Sequence, residues 1–171
     1  MTPLTHSLSQ TTVLGIPFIP LVTDIFFGLL GMVIILVFHG SGINHIIMRF
    51  ETKTSANLEH GHYNWVFMHF YSSFFFIALV HMFEILLWSF YLLLLGLIND
   101  GVQALLFAGS CYTTVGFVED LLPPGWKSLA FFISFTGLFS LAWTTSVMVG
   151  MTNTYKAAWN LKYGRSSLND S

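Results

Sequence analysis

Charge is what this sequence has least of. Only 8% of its 171 residues are Asp, Glu, Lys or Arg, against 54% hydrophobic residues and a mean hydropathy of +0.71. A soluble core of this size needs a far more charged surface, so the composition excludes a soluble globular protein and points to a one-domain integral membrane protein. There is one cysteine, Cys111, which excludes an intrachain disulfide and suits a small packing residue better than a redox role. The basic residues number six and form no cluster, which removes nucleic acid as a partner. No arginine-rich helix is present to sense voltage, and no internal repeat or ligand-binding domain is visible. No Lys or Arg precedes Arg49, so residues 1–20 lack the positive region of a signal peptide and are expected to form a short interfacial arm.

What the chain has is apolar length. A first span is expected over residues 21–47, with Thr23 or Asp24 as its N-cap and with Gly28, Gly31, Gly40 and Gly42 allowing close helix contact. The next apolar segment, residues 64–98, would be roughly 50 Å long as one helix, more than a ~30 Å hydrocarbon core requires. Its first turns, through about Ser72, are therefore expected at the membrane interface, where His60, His62, Tyr63, Asn64, Trp65 and His69 are at home, leaving a span over 73–98 that Asn99-Asp100-Gly101 ends. The last span is expected over 128–151, with Gly137 at mid-helix as a gating bend or, more simply, a close-packing position.

Arg49 and Lys53 lie in the segment between the first two spans, and Lys156, Lys162 and Arg165 lie in the tail, 152–171. The positive-inside rule places both segments in the cytoplasm and the N-terminus outside, in a multi-pass protein of a plasma or inner membrane. In the tail, Tyr155, Trp159 and Tyr163 recur every four residues, a face suited to lipid headgroups or, less simply, to a docking partner.

Residues 101–126 are the informative part. The run Ala104-Leu105-Leu106-Phe107-Ala108 is too brief to cross a bilayer, and it leads into the polar, glycine-containing Thr113-Thr114-Val115-Gly116-Phe117 and the turn-like Leu121-Leu122-Pro123-Pro124-Gly125-Trp126. A short helix, a non-helical segment and then a spanning helix is the layout of a re-entrant loop, whose backbone at membrane depth must face protein or a wet cavity.

These residues resemble the filter of the potassium-channel superfamily, Thr-Val-Gly-Tyr-Gly followed by Asp. The matching positions are Thr114, Val115, Gly116, Phe117, Val118 and Glu119, and the likeness to small two-helix bacterial members extends over roughly residues 73–151. The resemblance implies an all-α membrane fold of three transmembrane helices with a re-entrant pore helix and filter-like loop between the second and third. It also implies a homotetramer in membrane lipid that conducts cations passively, with no catalytic residues and no cofactor beyond a monovalent cation such as potassium. Thr114, Val115, Gly116 and Phe117 would line the filter, and Val118, Glu119 and Asp120 would form the mouth, the two acids raising the local cation concentration. Val118 departs from the family: a β-branched residue at positive φ costs roughly 1–2 kcal/mol, so the outer mouth is expected to differ from the family's geometry. This departure keeps open a second reading, a non-conducting, channel-derived structural or accessory subunit of a larger heteromeric membrane complex.

Two polar constellations remain. His81 and Glu84 share one face of the second span, where an ionisable pair is a candidate for ion or proton handling; the plainer expectation is a hydrogen-bonded strut behind the filter, joined by Trp88 or Trp143. His60-Gly61-His62 with His69, His39 and His45 have types that bind copper or zinc, but no Cys or nearby Asp completes a ligand set. Interfacial histidines without a metal are expected, and a metal-dependent oxidoreductase would rest on histidine number alone.

Overall fold

Apolar sequence becomes helix in this chain because a helix is the segment-contained way to satisfy backbone groups in lipid. The computed structural model describes residues 12–13, 16–117, 119 and 121–164. After a small antiparallel ribbon of β1 (Thr12–Val13) and β2 (Ile16–Pro17), the chain forms α1 (Phe18–Glu59), α2 (Tyr63–Leu94), α3 (Gly101–Tyr112) and α4 (Ser128–Gly164). Helices α1, α2 and α4 are long and apolar enough to cross a membrane, and α3 is a 12-residue helix packed between α2 and α4. Apart from the two-residue strands of that ribbon, this is a helical, multi-pass membrane architecture.

The helices run past their expected ends in two places and stop short in one. α1 continues to Glu59 rather than ending near 47, since the polar stretch after Met48 contains no residue that breaks a helix. It ends where Gly61 takes φ +68°: the Gly61 amide donates to the Leu58 carbonyl and the His62 amide to the Asn57 carbonyl, the paired bonds of a Schellman cap. α2 ends at Leu94 rather than 98 for the same reason, with Gly96 at φ +66° and its amide bonded to the Leu93 carbonyl. α4 runs on to Gly164, so the aromatic face expected at the headgroups belongs to the third long helix. Its Tyr155 ring packs against Phe67 and Phe70 of α2, with centroids 4.9 and 4.7 Å apart.

Asp24 also has a different duty from the expected one. It lies inside α1, nearly inaccessible, and its Oδ2 accepts hydrogen bonds from the backbone amide and the hydroxyl of Ser128, the first residue of α4. A carboxyl group from one helix thus caps another, satisfying the orphan Ser128 amide at the positive end of that helix's dipole. Asp24→Ala is expected to cost about 1–2 kcal/mol, read as a lowered unfolding midpoint in detergent; an unchanged midpoint would mean water replaces the cap without loss.

Packing divides the interior into layers. One apolar layer joins Ile35, Trp88, Leu92, Ala104, Phe107, Leu129 and Ile133; a second joins Ile43, Phe50, Phe70, Ile77 and Met151. Between them lies a buried polar layer that includes His39, Glu84, Ser140 and Thr144. The α1 glycines admit close neighbours as expected: the Trp88 ring fills the space over Gly31 and the Trp143 ring the space over Gly40.

Candidate functional site

The C-terminus of α3 is where the short helix, the polar layer and the filter-like residues meet. Asp100 starts this helix, accepting a 2.7 Å hydrogen bond from the Gln103 amide as its N-cap. At the other end the Thr114 amide donates to the Cys111 carbonyl, and the Val115 amide to the Ser110 carbonyl. These are the same paired bonds that close α1 and α2, but the left-handed position, glycine in those helices, is here Thr114 at φ +57°. A β-branched residue in that conformation is a genuine outlier, costing roughly 1–2 kcal/mol, and strain of this kind concentrates at functional segments.

Beyond Thr114 the backbone alternates in hand. φ is −85° at Thr113, positive at Thr114, negative at Val115, +68° at Gly116 and negative at Phe117. All five residues are exposed, Val115 and Phe117 each at 65%, and among the described residues the carbonyls of 114–117 accept no backbone hydrogen bond. The expected filter residues Thr114, Val115, Gly116 and Phe117 are therefore contiguous at the negative end of the α3 dipole, and Glu119 is exposed just beyond them. Val118 and Asp120, expected at the mouth, lie outside the described residues.

Directly behind this segment sits a hydrogen-bonded network drawn from all four helices. Glu84 on α2 is completely buried. Its Oε1 is 2.5 Å from His39 Nδ1 on α1, and its Oε2 accepts from the Tyr112 hydroxyl at the end of α3. His81 bridges onward, with Nδ1 2.8 Å from the Tyr112 oxygen and Nε2 3.0 Å from the Thr144 hydroxyl of α4. One proton order serves every link: Thr144 donates to His81, His81 to Tyr112, and Tyr112 with His39 to the Glu84 carboxylate. Tyr112 immediately precedes Thr113, so the network fastens the last residue before the exposed segment to the centre of the bundle.

The pairing of His81 with Glu84 on one helix face is present, with His81 Nδ1 3.7 Å from Glu84 Oε2. The expected tryptophan partners are not part of it. Trp88 lies in the apolar layer, its indole nitrogen unbonded among the described residues, and Trp143 offers only its ring to His39, with centroids 5.5 Å apart. His39, Tyr112 and Thr144 take those places. His39 is accordingly no interfacial histidine but an inaccessible one, whereas His45, His60 and His62 are exposed. The signal for His39 was available: a lone imidazole amid the apolar residues of a span must find a partner. Tyr112 gave no such signal, because a tyrosine beside a polar segment reads equally well as facing water.

His39, His81 and Glu84 are also of metal-ligating type, with ligand atoms all within 4.8 Å of one another. Their geometry suits hydrogen bonding better. His39 Nδ1 and Glu84 Oε1 are closer than the roughly 3.3 Å that two ligands about 2 Å from a tetrahedral ion would keep, and both nitrogens of His81 are already engaged.

No family model, curated protein or solved structure matches this chain.

Proposed function

We propose that the chain is a potassium-channel-like pore subunit for passive cation conduction. Four copies would turn residues 113–117 toward a common axis, and α3 would serve as a re-entrant pore helix entered from the outside. The observation that carries this reading is the exposed segment of alternating φ at the end of α3. Successive carbonyls of a uniform strand point to opposite sides; alternating hand turns them to the same side, where they can replace an ion's hydration shell. Backbone carbonyls that find no backbone partner among the described residues cannot face lipid, so neighbouring copies or a wet pore would cover them. The α3 dipole adds negative potential at that point, and the exposed Glu119 adds more. In this reading the Glu84 network is the strut that sets the height and angle of the segment.

The test is copy number and flux together. Native mass spectrometry of the purified chain should give a tetramer, and the same preparation in liposomes should pass potassium. Val118→Gly, which restores the family's second glycine, should sharpen discrimination of potassium from sodium; wild type discriminating as well as this variant would refute the filter argument. The presence of Val118 favours the second reading, a channel-derived subunit without an ion path, and one copy among unlike chains together with no flux would decide for it.

A further inference from the structure

Near the other end of the bundle from α3, a cavity of about 210 Å³ opens between α1 and α2, lined by His45, Arg49, His69, Ser72, Phe50 and Phe76. Its walls are two helical stripes. His45 and Arg49 are one turn apart on α1, with Lys53 a further turn along, while His69, Ser72 and Phe76 follow at spacings of three and four on α2. Every nitrogen-bearing side chain of these stripes is basic or an imidazole, and no carboxylate lines the cavity. The Arg49 guanidinium is held over the Phe76 ring, 5.3 Å from its centroid, and makes no ion pair among the described residues. The Ser72 hydroxyl likewise has no hydrogen-bond partner there, whereas Ser73 is occupied with the His69 carbonyl at 2.8 Å.

We infer that this cavity binds a phosphate group, as the headgroup of an anionic lipid or as free phosphate. A guanidinium fork pairs bidentately with phosphate oxygens, and the imidazoles of His45 and His69 and the hydroxyl of Ser72 supply further donors from both helices. Basic pockets between membrane helices hold lipid headgroups in this way, and the Phe76 face offers the start of an apolar track for an acyl chain. The site does not involve residues 113–117 or the Glu84 network, so it stands whether or not the chain conducts.

The experiment titrates the delipidated full-length chain in neutral detergent with phosphatidylglycerol, phosphatidylcholine and inorganic phosphate separately, reading the shift in unfolding midpoint. Phosphatidylglycerol should bind and stabilise, and Arg49→Gln should weaken its apparent affinity about tenfold, the loss expected for one charge-assisted hydrogen-bonding group. Lys162→Gln, outside the cavity, should leave that affinity unchanged. His69→Gln tests the facing wall should Arg49→Gln fold poorly, and should weaken binding in the same direction. Stabilisation by inorganic phosphate alone would identify a soluble ligand; stabilisation by phosphatidylglycerol only would identify the lipid. Equal affinity in wild type and the cavity variants, or phosphatidylcholine binding as tightly as phosphatidylglycerol, would overturn the assignment.

Discussion

Replacing Glu84 with alanine is expected to destabilise the folded protein by roughly 3–5 kcal/mol, the cost of removing one partner from a buried, hydrogen-bonded polar cluster. The size follows from what is left behind. His39 Nδ1 and the Tyr112 hydroxyl both lose the carboxyl that accepts from them, in a layer closed above and below by apolar side chains. Hydrogen bonds between membrane helices average only about 0.6 kcal/mol each, so the lost bonds alone would not give this value; stranded polar groups make up the difference. Glu84→Gln should cost less, about 1–2 kcal/mol, since its amide oxygen still accepts from Tyr112. Reversible unfolding in mixed micelles measures both, and an alanine variant within about 0.5 kcal/mol of wild type would show that the cluster is tolerated rather than stabilising. The same pair separates strut from ion handling. On the proposed channel reading, unchanged flux per tetramer with lowered tetramer yield in Glu84→Gln identifies a strut, whereas lost flux at normal yield identifies participation in transport.

Gly137→Ala should also destabilise, by less, and for a reason that a helix-propensity argument would miss. In an unencumbered helix this exchange stabilises by about 1 kcal/mol. On α4, however, a Cβ at position 137 would overlap the Tyr112 carbonyl oxygen and approach the Tyr112 ring to 3.1 Å. The obstacle is backbone at the end of α3, not the tip of a flexible side chain, so the two helices must separate. Overpacking of this sort costs typically 1–3 kcal/mol, enough to outweigh the propensity gain. It would also displace residues 113–117, which follow Tyr112 directly, so on the proposed channel reading flux should fall as well. Gly150→Ala is the control on the same helix, where a new Cβ meets nothing within 4 Å and stability should hold or rise. If both alanine variants behave alike, the α3–α4 contact does not position the loop.

How much was legible in the sequence varied with the range of the physics involved. The three long helices could be read from apolar run length alone, because bilayer thickness sets that length independently of any partner. The join between α1 and α2 could be located but not given its form, since Gly61 caps a helix only where the helix actually reaches it, and polar residues 48–59 did not announce that α1 continues. Asp24 looked like a cap for its own helix. Only the folded bundle shows it capping α4, 104 residues away in sequence.

Composition and local pattern by themselves determined that this is a helical membrane protein, that a short helix and a polar, glycine-containing segment lie between its second and third long helices, and that His81 and Glu84 share a face. Each follows from properties carried within one segment: hydrophobicity, periodicity and turn chemistry. Tertiary structure decided that His39, Tyr112 and Thr144 complete the Glu84 network, that Gly137 is a contact point, and that Arg49 and His69 face one cavity. A buried polar group needs a partner, but the partner's identity depends on how helices distant in sequence are rotated against one another, and that rotation is set by the packing of the whole bundle.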